Sequence, residues 1–242
     1  MSPDKIGVVR GVTPRITVKR NSILLYTLAL AAVPALSSAQ SWISSSPSAT
    51  IYYGGSLFNL TNNSTSAVRL TGLFDLNLGG AGGTAATYRV YTKGSALVGT
   101  ETNPAPWTLL GSASVASSNP QNSFTTIDVN SGIELAAGAT IGVGIFVTTA
   151  NLANDGWVGY NSGAGTFSDG TLTLAGGIGK GYAGVGDGTA AESLFNVIPS
   201  VPNRTFSGRV QYASVTPVPE PATMAAIGLG LVGFVSRRRK RA

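Results

Sequence analysis

Between residues 40 and 216, hydrophobic and polar positions alternate with the period of two that is typical of half-buried antiparallel strands. The clearest examples are segments 68–78, 86–93, 140–149 and 204–213. In the first segment one face carries Val68, Leu70, Phe74, Leu76 and Leu78. Helical periodicity is hard to find in this part of the chain, so we expect almost no helix there.

Turn signals separate the predicted strands, among them TNNS, LGGAGG, TNPAP, SSNPQN, LAAGA and SDGT. Many short strands with frequent turns predict an all-β fold, an antiparallel β-sandwich of the jelly-roll type, with an open barrel as the alternative. The glycine-rich segment 175–188 is predicted to be an irregular loop. It contains G-x-G-x-x-G, but more glycine follows where a phosphate-binding helix would have to begin, so we do not assign a nucleotide site.

The N-terminal 39 residues have the parts of a secretory signal peptide. A basic stretch precedes the apolar run 23–35, and small residues precede Ala39. We therefore predict a signal helix that is cleaved after Ala39. The apolar run is shorter than the roughly 20 residues of a membrane span, and an uncleaved anchor is the alternative.

The C-terminal segment 217–242 has three parts in order. The motif Pro219-Glu220-Pro221 comes first, and the apolar stretch 222–235 follows. About fourteen helical residues reach ~21 Å, against a hydrocarbon core of ~30 Å, so this helix suits a transient stop better than a permanent anchor. The basic cluster that ends the chain is predicted to stay on the cytoplasmic side of the membrane. It consists of Arg237, Arg238, Arg239, Lys240 and Arg241.

These three parts resemble the PEP-CTERM sorting signal of Gram-negative bacteria. The resemblance covers only about the last 25 residues. It implies export, transient insertion in the inner membrane, processing by an exosortase-type membrane protease, and delivery to the cell surface or the extracellular space. It also implies a setting where exopolysaccharide is often made. It implies nothing about the chemistry of residues 40–216.

The net charge of +6 belongs to these targeting segments. Each end carries +4, and residues 40–216 carry −2, so we expect no nucleic-acid partner. Cysteine and histidine are both absent, which excludes disulfides, thiolate metal sites, imidazole bases and histidine-ligated zinc. We therefore predict a non-catalytic protein without a cofactor; a carboxylate-only glycosidase or lyase is the least favoured hypothesis.

One segment of the predicted ectodomain, NDGWVGYN, suits a saccharide. Its Trp157 and Tyr160 lie among Asn154, Asp155 and Asn161, which are aromatic and polar groups that fit the faces and hydroxyls of a sugar. A tryptophan in a sandwich is more often a core residue, and we favour that interpretation for Trp157.

Oxygen ligands for calcium are a further candidate. They come from Asn154, Asp155, Asp169, Asp187 and Asp75. Asp155, Asp169 and Asp187 each precede a glycine, and Asp-Gly pairs are also what tight turns require.

The sequence thus predicts a signal peptide (1–39), a β-sandwich ectodomain (40–216) and a sorting signal (217–242). The ectodomain is expected to have a structural or interaction role in the extracellular matrix. The alternative is a lectin-like, polysaccharide-binding module, with calcium dependence left open.

Overall fold

A computed structural model describes residues 39–46, 48–98, 101–149, 156–181, 194–195 and 200–215. These residues form fourteen strands arranged in antiparallel sheets, so the prediction of an antiparallel all-β fold is confirmed. Both predicted terminal helices lie outside the described residues. Within the described ranges no helix has the length and hydropathy needed to cross a membrane.

The strands are numbered in chain order. They are β1 (Gln40–Ser44), β2 (Ile51–Tyr53), β3 (Gly55–Asn62), β4 (Val68–Asn77), β5 (Ala86–Lys93), β6 (Thr108–Val115), β7 (Phe124–Asp128), β8 (Ile133–Leu135), β9 (Thr140–Val147), β10 (Val158–Ser162), β11 (Thr166–Ser168), β12 (Leu172–Lys180), β13 (Ser200–Phe206) and β14 (Gly208–Ser214).

Two sheets are formed. The first has five strands in the order β1-β14-β4-β7, with β8 also paired to β4. The second has nine strands in the order β2-β10-β13-β12-β3-β9-β5-β6, with β11 also paired to β12. The first and last described strands are neighbours, since Gln40 of β1 lies opposite Ala213 of β14.

The chain changes sheets at Ser207, and the prediction of one continuous strand over 204–213 is wrong at this residue. β13 belongs to the nine-stranded sheet and β14 to the five-stranded sheet. Ser207 is fully buried; its amide donates to the Gly159 carbonyl oxygen (3.1 Å) and its hydroxyl to the Ser46 carbonyl oxygen (2.9 Å). Gly208 follows because a Cβ there would collide with the ring of Phe206. The alternation of hydrophobic residues in the sequence continues almost unchanged through this corner, so the pattern does not reveal the change of sheet.

The core lies on the face that the alternation predicted for β4. All five apolar residues of that face are buried and belong to one hydrophobic cluster with residues of the other sheet. They are Val68, Leu70, Phe74, Leu76 and Leu78.

The opposite face of the nine-stranded sheet is covered as well, by a group that we call the outer aromatic cluster: Tyr91, Trp107, Phe146 and Phe195. Ring centroids of Trp107 and Phe146 each lie 4.9 Å from that of Phe195, and the centroid of Tyr91 lies 5.4 Å from it. Glycines of β9 make room for this layer, since a Cβ at Gly142 would lie 3.1 Å from the Trp107 ring. Seven of the eight residues of β9 are therefore buried.

The glycine-rich segment is a strand in its first half, which corrects the loop prediction for residues 175–180. β12 pairs with β3 on one side and with β13 on the other, with irregular register between Ala175 and Gly179. Glycine is needed here because a Cβ at Gly179 would lie 2.6 Å from the Tyr160 hydroxyl oxygen. Residues 182–188 of the predicted loop lie outside the described ranges.

Candidate functional site

Trp157 and Tyr160 lie in a stack of three aromatic rings. The pairing of β10 with β2 places Val158 opposite Tyr53. The Tyr53 ring stacks on the rings of Trp157 and Tyr160, with a centroid distance of 5.9 Å to each. Trp157 is 9% exposed and Tyr160 is fully buried, whereas Tyr53 is 38% exposed. Trp157 thus lies where the core interpretation puts it, and Tyr53 carries the accessible ring of the stack.

Two polar residues of the predicted saccharide site, Asn154 and Asp155, lie outside the described residues. Asn161 is engaged by the chain itself. Its Oδ1 accepts from the Thr50 amide (3.1 Å), and its Nδ2 donates to the Ser48 carbonyl oxygen (2.7 Å). Sequence reasoning missed Tyr53, since only the β2–β10 pairing brings it to Trp157.

Asp75 is part of a structural ion pair. Its carboxylate is buried; Oδ2 accepts from both Nε (2.9 Å) and Nη2 of Arg209, and Oδ1 accepts from the Thr126 hydroxyl (2.6 Å). The Arg209 guanidinium lies between the rings of Trp42 and Phe124, at 5.0 and 4.6 Å from their centroids. This carboxylate is therefore fully used inside the protein.

Asp169 organises a tight turn, which is the alternative given for it from the sequence. Its Oδ1 accepts from the amides of Thr171 (2.9 Å) and Leu172 (2.8 Å), and its Oδ2 accepts from the Tyr212 hydroxyl (2.8 Å). Gly170 has a φ of 90°, a conformation that favours glycine.

The candidate calcium ligands are not brought together in the part of the chain that the structure describes. No group of three or more acidic, histidine or cysteine residues that could hold a metal ion occurs there. Asp75 and Asp169 have the protein partners given above. Asp155, Asp187 and Asn154 fall outside the described ranges.

Lys180, at the end of β12, is a buried cation that sequence reasoning did not single out. Its ammonium donates to the carbonyl oxygens of Glu101 and Phe195 (3.0 Å each) and to the Ser200 hydroxyl (2.8 Å). Burial lowers the pKa of Lys180 to about 8, and the charge of Glu101 opposes that shift. An amine with a lowered pKa is a type of group that enzymes use as a nucleophile. Here all three donors have acceptors from the chain, so the side chain ties three segments together.

An open depression of about 360 Å³ lies beside β10 and β11. Its lining includes Ser46, Asn161, Phe167 and Thr205. The Thr205 hydroxyl donates to the Gly163 carbonyl oxygen (2.7 Å), so it too is engaged. The depression offers small polar groups and no charged side chain.

The comparison with known proteins identifies the C-terminal segment. Residues 217–240 match the family model of the PEP-CTERM protein-sorting motif. The match includes the predicted motif Pro219-Glu220-Pro221 and the first four basic residues of the tail, 237–240. Residues 217–240 lie outside the described part of the chain, whereas Ala39, the predicted last residue of the signal peptide, is described and exposed. No curated protein and no solved structure matches the chain.

Proposed function

We propose that this chain is an exported protein that is sorted through its C-terminal motif and acts, without catalysis, in a structural or interaction role at the cell surface or in the extracellular matrix. The sorting motif at residues 217–240 is the observation that carries this proposal. Its place directly after the last strand of the described all-β part suits a domain that is delivered and then released or attached.

The proposed route uses both ends of the chain. The signal peptide is removed after Ala39, and the short apolar helix 222–235 enters the inner membrane transiently. The basic tail resists crossing, because arginine and lysine are retained on the cytoplasmic side. An exosortase-type protease then processes the chain close to Pro219-Glu220-Pro221.

For the domain itself we propose a sandwich of the jelly-roll type, made by the two sheets over their common core. A non-catalytic role is supported by the ionisable groups of the described ranges, where Asp75, Asp169 and Lys180 are each held by several protein partners. An exopolysaccharide-rich matrix is the proposed surrounding.

The sorting step is tested by replacing Pro219, Glu220 and Pro221 together with alanine. Ser236→Ala, at the residue between the apolar stretch and the basic tail, is the matched control. We expect intact-mass analysis of wild-type protein from outside the cell to show loss of residues 1–39 and of the residues after the motif. The triple variant should accumulate uncleaved in the membrane fraction, and Ser236→Ala should behave as wild type. Extracellular wild-type protein that still carries residues 222–242 would contradict the proposal.

A second candidate is a lectin-like, polysaccharide-binding module, and the exposed ring of Tyr53 favours it. Aromatic rings stack on the apolar faces of sugars, and the Tyr53 ring is positioned by its stacking contacts with Trp157 and Tyr160. A glycan array probed with and without calcium tests this candidate. Tyr53→Ala should abolish binding, and Leu109→Ala, at another exposed apolar residue, should leave it intact. Absence of binding to every glycan by the wild-type protein would exclude the module.

A further inference from the structure

Strand β6 ends the nine-stranded sheet with an unpaired edge. Its residues pair with β5, from Thr108 opposite Thr92 to Val115 opposite Ala86. Within the described ranges, no backbone hydrogen bond joins its outer edge to another strand or loop. A strand of eight residues therefore presents a row of unused amide and carbonyl groups.

This edge lacks most of the features by which proteins protect such strands. Short length, charged side chains, proline and bulges are the usual ones. The sequence of β6, TLLGSASV, contains neither charge nor proline. Its one irregularity lies at Leu110, and the register from Gly111 to Val115 is regular. The opposite edge of the same sheet is the three-residue strand β2.

The same edge strand carries one large exposed apolar side chain. Leu109 of β6 is 48% exposed. The other exposed positions of the strand are small and neutral, such as Ser112 and Ser114.

We propose that two copies of this chain pair through β6, antiparallel and about a two-fold axis, so that two nine-stranded sheets become one continuous sheet. A two-fold axis perpendicular to the sheet places an edge strand antiparallel to its own copy, so the unused donors and acceptors of β6 complement themselves. The absence of charge in β6 means that two identical strands meet without repulsion. Because β2 is too short to propagate pairing at the other edge, the assembly closes as a dimer.

Cross-linking tests the pairing directly, because the chain contains no cysteine and a single introduced thiol is unambiguous. The exported chain, recovered from outside the producing cell, carries Ser112→Cys or Ser114→Cys. It is treated with a short bis-maleimide that bridges opposed and diagonal strand positions, about 5–8 Å apart. Thr166→Cys, at an exposed residue of β11, is the matched control. We expect covalent dimers from at least one β6 variant and none from the control. No cross-link at either β6 position, or equal cross-linking at Thr166, overturns the proposal.

A charge substitution tests the energetics. Sedimentation velocity should show that the wild-type chain dimerises in a concentration-dependent manner. Ser112→Lys should raise the dissociation constant about tenfold or more, because like charges then face each other across the strand pair. Thr166→Lys should leave the constant unchanged, and both variants should melt like the wild-type monomer. A wild-type chain that stays monomeric at every accessible concentration refutes the dimer and leaves the sorting proposal untouched.

Discussion

Raising the pH should stabilise this protein through Lys180. The folded chain holds the Lys180 ammonium away from water, and its pKa falls to about 8 from the ordinary 10.5. Between these two pH values the unfolded chain binds more protons than the folded chain, so the free energy of unfolding rises with pH. Below about pH 8 the full cost of the buried charge is present, and above about pH 10.5 it is gone.

The size of this effect follows from the two pKa values. At about 1.4 kcal/mol per pKa unit, the Lys180 contribution changes by about 3 kcal/mol across the window. This is a large share of the 5–15 kcal/mol stability that is usual for a domain. The three acceptors around the ammonium favour the charged form, and the pKa is lowered because burial outweighs them.

The assay is urea unfolding at a series of pH values from about 7 to about 11, on the wild-type chain and on Lys180→Met. The difference in free energy of unfolding isolates Lys180, because the buried tyrosines that also titrate in alkali are present in both proteins. Lys93→Met, at another buried lysine, is the matched control and should keep the alkaline rise. If the difference between wild type and Lys180→Met stays constant across the window, burial does not dominate at Lys180 and the reasoning is wrong.

Further predictions concern the buried tyrosine, the aromatic stack and the ion pair. Burial raises the pKa of Tyr88, so stability should fall above about pH 10 as the unfolded chain loses phenolic protons, and Tyr88→Phe should flatten that fall in the same urea series. Trp157→Ala should cost about 3–5 kcal/mol in chemical denaturation, because it empties a core position, whereas Tyr53→Ala should cost clearly less; equal costs would contradict the burial order of the stack. Asp75→Ala should cost about 2 kcal/mol, because it removes the hydrogen bonds that Arg209 and Thr126 make to a buried carboxylate, while the 36% exposed Arg209 side chain stays partly solvated. A cost for Asp75→Ala within the error of the measurement would refute the structural role of the ion pair.

Alternation predicts a strand well where only one face of it is covered. β4 lies where the pattern put it, and Leu70 and Phe74 point to the core as expected. β9 departs from the simple pattern because the outer aromatic cluster covers its second face, which buries Phe146 as well as Ile145. The residues that provide this cover come from distant parts of the chain, and no local period reveals them.

Glycine misleads sequence reasoning for a physical reason. In β12 the missing side chain at Gly179 is what lets the Tyr160 ring lie against the sheet, although a glycine-rich segment by itself indicates a loop. The same local signal therefore stands for mobility in one context and for close packing in another. Lys180, buried beside this position, could not be inferred, because its partners Glu101 and Phe195 become neighbours only in the folded chain.

The two kinds of site differ in how far the sequence predicts them. The sorting signal is a linear motif, read in order along the chain, and the family match at residues 217–240 confirms it. The aromatic stack is a property of strand pairing, and Tyr53 reaches Trp157 from about a hundred residues away. Sequence reasoning found Trp157 and Tyr160, which are close in sequence, and missed Tyr53, the most exposed member of the stack.

The pairing of β1 with β14 sets the order of events in folding. β1 has β14 as its neighbour in the five-stranded sheet, and β14 in turn separates β1 from β4. During synthesis or export, the first described strand must therefore wait for the last described one, and closing such a distant contact is slow. A chain that ends before residue 208 lacks β14, and β1 then has no neighbouring strand to pair with in the five-stranded sheet. The matched sorting segment begins at residue 217, directly after β14, so β1 and β14 can pair only once nearly all of the chain before that segment is available. Under the proposed route, completion of the sheet would therefore come just before processing at the motif.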